Sequence, residues 1–320
     1  MKSIDRPFTG IPTFMRAPVA ETPDALAGAA IAVLGVPFDE GSPFLPGSRM
    51  GPRAIREHSL RFPPGGLYDP DTGETFLARE VAGLIRDAGD VDVRPANAAR
   101  TFEIITLRTR EILDAGAFPV VLGGDHAITY PVFEAFDRPA HVLQFDAHQD
   151  YSEIDEDLAR TNSHAFRHIT GMETCLGLTQ VGIRGLRTTG AHVDELRAKG
   201  HTVVPMGRAR ALGAEGIAAL LPEGAPVYVT IDVDALDMAL IPGCVSGEPD
   251  GFTHRDLMAA LRAVAERCEI VGFDFVEVNP PLDVGTGATS YLGALVTAGF
   301  LGFICAQPWW ERRLRDRGLI

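Results

Sequence analysis

The stretch Gln144–Asp150 reads QFDAHQD, and the residues that lead into it, His141–Phe145, read HVLQF. The lead-in is apolar enough to be a strand buried on both faces, the mark of a parallel sheet. It ends in three metal-type side chains spaced by two: Asp146, His148 and Asp150. Residues i and i+2 of a strand point to the same side. Asp146 and His148 therefore address one point, and Asp150 follows as the chain turns away. This stretch predicts a buried strand that carries ligands out at its carboxyl end.

The same kind of run recurs at 30–38 (AIAVLGVPF), 118–124 (FPVVLGG), 178–184 (LTQVGIR), 226–234 (PVYVTIDVD) and 269–278 (EIVGFDFVEV). Helical periodicity lies between them. Residues 99–116 repeat apolar side chains at three and four spacing and end on Gly116. Residues 253–268 open on Thr253 with Asp256 three positions on, close to a capping box. Strands alternating with helices predict βαβ units and a parallel sheet. The Gly- and Pro-rich stretches 41–52 and 61–75 read as loops. No linker and no internal repeat divides the chain, so one α/β domain is expected.

Composition narrows the partners. A net charge of −14 argues against nucleic acid and against an anionic membrane. Cys175, Cys244, Cys268 and Cys305 form no CxxC pair and no zinc spacing, which predicts reduced thiols in a cytoplasmic protein. The opening MKSIDRPFTGIP has no apolar core of a secretory signal. Residues 285–310 carry no charge, long enough to raise the question of a membrane span. Thr286, Thr289, Ser290 and Thr297 interrupt them, so a buried core helix is expected.

Ligands in open α/β sheets bind beyond the carboxyl ends of the strands. Four predicted strands end there in acids and imidazoles: Asp125 and His126; Asp146, His148 and Asp150; Asp232, Asp234 and Asp237; Asp274 and Glu277. Any one of them alone reads as a cap, a turn or an ordinary core residue. Together, His126, Asp146, His148, Asp150, Asp232 and Asp234 exceed one tetrahedral site and carry too much negative charge to stay unpaired. Two divalent cations sharing carboxylates would neutralise them. Nitrogen and oxygen donors suit manganese and permit nickel, iron, cobalt or zinc. A magnesium phosphatase would use fewer histidines and a phosphate-cradling loop; GGDHAIT lacks the lysine, and GVPFDEG is not GxGxxG.

At GGDH (123–126), DAHQD (146–150), IDVDALD (231–237) and EVNP (277–280) the chain resembles, in order, the motifs of the ureohydrolase family of arginases and agmatinases. VLGVPFDEGSPFLPGSRMGPRAIR (33–56) resembles the agmatinase branch. The resemblance implies a single three-layer α/β/α domain over 1–320, with a central, mainly parallel sheet and an N-terminal extension of about 1–28. It implies two divalent ions per chain, Mn2+ or alternatively Ni2+, and a homo-oligomer, trimer or hexamer. His126 and Asp150 would hold one ion, His148 and Asp234 the other, and Asp146 and Asp232 would bridge them. Glu277 would hold the substrate guanidinium, and His164 in NSHAFRH (162–168) would transfer a proton. The implied reaction is attack of a metal-bridging hydroxide on the guanidino carbon, releasing urea and an amine, with agmatine as the leading substrate.

The chain departs from the family pattern at Ala127, Gln149, Met238 and Cys244, at Val245 and Ser246, and in a shortened NSHAFRH. None of these is a proposed ligand, yet all lie in loops expected near the pocket. Guanidinobutyrate, guanidinopropionate, guanidine, a biguanide and a formimino amino acid therefore stand beside agmatine. Arg160, Thr161, Asn162 and Ser163 would suit a substrate carboxylate, whereas Glu153, Asp155, Glu156 and Asp157 would suit a cationic tail; the same loop also reads as an ordinary solvated one. A non-catalytic subunit of a hetero-oligomer is the reading from another class. Its usual mark, a lost metal ligand, is not found here.

Overall fold

The computed structural model describes residues 6–7, 9–70, 72–155 and 158–320. Eight strands build the central sheet: β1 (Ile31–Val36), β2 (Ile85–Asp90), β3 (Phe118–Gly123), β4 (Ala140–Phe145), β5 (Cys175–Ile183), β6 (Thr202–Pro205), β7 (Pro226–Asp232) and β8 (Glu269–Val276). They lie in the order β2-β1-β3-β8-β7-β4-β5-β6, and every pairing is parallel.

The period-two alternation of each strand divides the core between two faces. Ile31 and Val33 of β1, with Val227, Val229 and Ile231 of β7, pack on one face. There they meet α1 (Gly51–Ser59), α4 (Met206–Ala218), α5 (His254–Arg267) and α6 (Ala288–Cys305). Ala32, Leu34 and Val36, with Tyr228, pack on the other, against α2 (Ala98–Asp114) and α3 (Gly190–Ala198). The result is the expected three-layer α/β/α arrangement.

Six of the strands fall where the apolar runs place them. β2 and β6 went unread because they are the two edges. An edge strand tolerates the charges of IRDAGD, and TVVP is too short to show a period. Gly51 and Pro52, expected in a loop, start α1, with Pro at the first turn where its missing N–H costs nothing. The expected loop 61–75 contains a short antiparallel pairing of Leu67–Tyr68 with Thr75–Phe76. Thr253 caps α5 by accepting the Asp256 N–H at 3.1 Å. α6 is long and apolar enough to cross a membrane, but 67% of it is buried inside the fold, between α1 and α5. The four cysteines are free thiols.

One buried ion pair ties α1 to the edge of the sheet. Arg56 is 5% exposed, and its Nε and Nη2 each lie 2.9 Å from a carboxylate oxygen of Asp87 in β2. Asp87 also accepts the Phe14 N–H at 2.8 Å, which pins the N-terminal segment to the same strand. Truncating one partner of such a pair leaves the other charge buried alone. Arg56→Ala is expected to lower unfolding stability by ~3–5 kcal/mol, read from the urea midpoint at unchanged slope.

Candidate metal centre

Strand register builds the site. Phe145 of β4 pairs with Ile231 of β7, Asp232 of β7 with Val276 of β8, and Phe275 of β8 with Leu122 of β3. The four central strands thus stop level with one another, and the residues that follow them meet at one edge. The chain leaves β3 and re-enters the sheet at β4, three positions away. That gap is a topological switch point, where α/β sheets hold their ligands.

At the end of β3, Gly124 passes so close to the neighbouring turn that a Cβ there would lie 1.7 Å from the Phe38 carbonyl oxygen. Asp125 then caps the turn by accepting the Ala127 N–H at 3.0 Å. His126 follows, fully buried, with Nε2 2.9 Å from Thr230 Oγ1. Thr230 donates its own hydroxyl proton to Asp274 at 2.6 Å. Thr230 therefore accepts from His126 Nε2–H, which assigns the lone pair of the neutral ring to Nδ1. That Nδ1 faces Asp146, Asp150 and Asp232 oxygens at 3.0, 3.1 and 3.1 Å. A lone pair amid three carboxylates is repulsive unless a cation sits between them, either a proton or a metal ion. The donor set fits a metal.

His148 Nδ1 lies 2.9 Å from Asp234 and 3.6 Å from Asp146. Ligand atoms of His126, Asp146, Asp150 and Asp232 fall within 4.8 Å of one another, and so do those of Asp146, His148 and Asp234. Asp146 belongs to both sets. Asp232 belongs to the first and also groups with Asp234 and Cys244. All six sequence-predicted ligands are thus brought together in two overlapping sets.

A second layer holds these groups. Gln144 donates to Asp146 at 2.6 Å and is itself fixed by Gln180 at 2.6 Å. Ser246 donates to Asp234 at 3.0 Å. Asp274, one of the strand-end acids of the sequence, takes hydroxyls from Thr129, Tyr228 and Thr230 and so orients His126 from behind. Asp237 caps a turn at Ala239. Asp150 and Glu277 hold φ at +46° and +66°, a left-handed conformation that non-glycine residues adopt at a cost.

Glu277 is buried, and its Oε1 accepts the His126 N–H at 2.9 Å and Asn162 Nδ2 at 3.3 Å. Burial lifts its carboxyl to about 7. It lines a cavity of about 230 Å³ with Asp150, Asp232, His148 and Asn162. That is smaller than the ~300–1,000 Å³ of pockets for drug-sized ligands, so it suits a small molecule.

His164 is not brought to this cavity's lining. Its Nδ1 lies 2.6 Å from Thr161 Oγ1 and its Nε2 3.0 Å from the Glu153 carbonyl. Of the loop residues expected near the substrate, Asn162 and Ser163 line the cavity, whereas Arg160, Thr161, Glu153 and Asp155 do not; Glu156 and Asp157 lie outside the described residues. Gln149 lines it too, while Met238 is 48% exposed at the surface and Ala127 is buried in the core. Arg187, Thr188, Thr189 and His192 line it as well and were not singled out from sequence. They follow β5, which is laid beside β4 in the sheet and so brings them to His148 and Asp150 from far along the chain.

The same closeness that suits an ion also favours protons on several of these groups. Burial opposes charge on His126, but hydrogen bonds to Asp146, Asp150 and Asp232 outweigh it and raise the ring well above its ordinary value. His148 is pushed up to about 12, because Asp234 and Asp146 outweigh its burial. Burial, with Asp234 and Asp146 close by, lifts Asp232 well above the usual carboxylate range. Metal uptake must displace these protons. Calorimetric titration in buffers of different protonation heat is expected to show release of ~2 protons per chain near neutral pH and tighter binding as pH rises. Uptake without proton release would contradict this assignment.

The sequence model of the Arginase family matches residues 29–302. The human mitochondrial guanidino acid hydrolase is 35% identical over 312 residues, covering 93% of this chain and 83% of that protein. The guanidinobutyrase of Pseudomonas aeruginosa is 33% identical, covering 96% and 95%. Among solved structures, proclavaminate amidinohydrolase from Streptomyces clavuligerus superposes with a TM-score of 0.81 at 31% identity, over 93% of this chain and 98% of that one. The level strand ends, the two overlapping ligand sets and these matches lead to one conclusion: the chain belongs to the arginase family.

Proposed function

We propose that the chain is a metal-dependent amidinohydrolase that cleaves the C–N bond of a small linear guanidino compound, releasing urea and a primary amine. The observation that carries this is Glu277, a buried carboxylate lining the same small cavity as the ligand cluster. His126, Asp150, His148 and Asp234, with Asp146 and Asp232 shared, would hold two divalent ions; with nitrogen and oxygen donors we favour Mn2+, with Ni2+ as the alternative. Such ions, when bound, supply Lewis acidity that lowers the pKa of water and balances the carboxylates.

The protein's own groups do the rest. Glu277 binds the guanidinium through charge-assisted hydrogen bonds, and the substrate cation returns its carboxyl to the charged form that burial disfavours. The His126 N–H and Asn162 fix the direction of Glu277, which sets the guanidino carbon against the ligand cluster. Water adds to that carbon, the bond to the tail nitrogen breaks, and water's proton must reach the leaving amine. His164 would have to give up both its ring hydrogen bonds to deliver it. His192, outside the ligand set, already lines the cavity, so we assign it the proton transfer.

The named activities of the relatives include hydrolysis of guanidino acids, guanidinobutyrate and, in Bacillus anthracis, agmatine; they support the reaction class and leave the tail to be decided. We further propose a homo-oligomer, trimer or hexamer, acting in the cytoplasm, the latter in keeping with four free thiols.

Urea release from protein loaded separately with Mn2+ and Ni2+ tests the reaction, across agmatine, guanidinobutyrate, guanidinopropionate, guanidine and a biguanide. We expect urea from at least one. Glu277→Gln is expected to keep its metal and lose ~10–100-fold in kcat/KM, the worth of a hydrogen bond to a charged group. His192→Ala is expected to lose ~100-fold in kcat with a changed pH–rate profile. A larger loss of kcat in His164→Ala than in His192→Ala would return the proton transfer to His164.

A further inference from the structure

The far end of the substrate is written in the charges of the cavity. Its acidic lining consists of Asp150, Asp232 and Glu277. On the reading above, each already has a cation to hold: a metal ion for the first two, the guanidinium for the third. Among the described lining residues no further carboxylate remains for an ammonium tail. One arginine does line the cavity, Arg187, among the hydroxyls of Ser152, Ser163, Thr188 and Thr189.

Arg187 Nη2 lies 3.1 Å from Nε2 of His148. A guanidinium only donates, so a His148 ring that carries a proton on Nε2 offers Arg187 no acceptor. The Glu248 carboxylate, 3.6 Å from Nε2, is the acceptor for that proton, which leaves Arg187 for an anion in the cavity. A second group is also short of a partner. Gln149 is 5% exposed, lines the same cavity, and neither of its amide atoms has a hydrogen-bond partner among the described residues.

Resting on the hydrolase reading, we propose that the substrate is a linear guanidino carboxylic acid and that Arg187 binds its carboxylate, setting specificity against guanidino amines such as agmatine. A planar guanidinium meets a carboxylate through two parallel N–H···O bonds. Glu277 and Arg187, which both line the cavity, then match the two opposite charges of a guanidino acid. Agmatine would bring an ammonium to Arg187 and meet repulsion there. The reading shifts from agmatine, favoured on sequence, to the acids.

The test compares kcat/KM for guanidinobutyrate, guanidinopropionate and agmatine in the Mn2+-loaded protein, for wild type, Arg187→Ala and Arg187→Lys. Wild type is expected to prefer an acid, and the acid-to-agmatine ratio should fall ~10–100-fold in Arg187→Ala. Arg187→Lys, which keeps the charge and loses the fork, should lie between. Calorimetric titration with γ-aminobutyrate, the amine product of guanidinobutyrate, gives a readout free of turnover. It should bind the loaded wild type and bind at least ~10-fold more weakly to Arg187→Ala at equal metal content. Preference for agmatine in wild type, an unchanged ratio in Arg187→Ala, or γ-aminobutyrate affinity that is absent in wild type or equal in both proteins overturns the proposal. No urea from any guanidino compound sinks the hydrolase reading instead, and the γ-aminobutyrate titration still decides the role of Arg187.

Discussion

Everything at the business end of this protein depends on one electrostatic constraint: four carboxylates, three buried and one nearly so, must share a space that only cations make tolerable. Asp146, Asp150, Asp232 and Asp234 converge on two imidazoles within a few ångströms, almost wholly out of water. Like charges at that separation repel strongly in a medium of low dielectric constant. In water the side chains would simply part. Here they cannot, because each is fixed to the end of a strand whose neighbours are hydrogen-bonded in parallel register. The sheet supplies the rigidity, and the cations it gathers supply the charge.

The same constraint explains the polar groups behind the ligands. A carboxylate that must stay aimed needs donors on its remaining lone pairs. Gln144 serves Asp146, Ser246 serves Asp234, and the N–H of Asp234 serves Asp232. His126 is fixed by Thr230, which is fixed by Asp274. Left-handed backbone at Asp150 and Glu277 fits this picture. Glu277 directly follows β8 and Asp150 lies in the turn after β4; both residues line the cavity, and the packed surroundings hold them there.

The legible parts of the sequence were those in which one residue's role is set by its nearest neighbours along the chain. Continuous apolar runs gave six buried strands, and the acids and imidazoles just past them gave the ligands; the i, i+2 rule of a strand did not apply, because β4 ends at Phe145, and Asp146 and His148 follow it in a turn. The edge strands β2 and β6 escaped because an edge needs no apolar signature. Asp274 read only as one more acid near a strand end, with no role assigned to it. Its position inside β8, one pairing below Phe275, aims it into the layer of threonine and tyrosine hydroxyls. His164 carried a motif but no geometry: two hydrogen bonds to its own loop decide where it points, and no spacing rule reports them. Arg187 was silent for the opposite reason, since it lies beside His148 only because β5 is laid next to β4.

That contrast suggests how such a site divides its labour. Groups that hold the ions sit directly at strand ends, where a shift of a single register position would misplace several ligands at once. Other groups that line the cavity sit on loops beyond those ends, at Gln149, Ser163 and Arg187, where a side chain can change without moving the sheet. The departure from the family pattern at Gln149 lies on that outer tier, whereas Cys244 sits beside Asp232 and Asp234, and all six proposed ligands and Glu277 are retained. The two tiers still touch at one atom. His148 Nε2 is the back of a proposed metal ligand and lies 3.1 Å from Arg187 Nη2. A ring nitrogen that carries a proton cannot accept from a guanidinium. The ring that serves the ion site on one side therefore offers the arginine no acceptor on the other, and the cavity is where an anion for it must be sought.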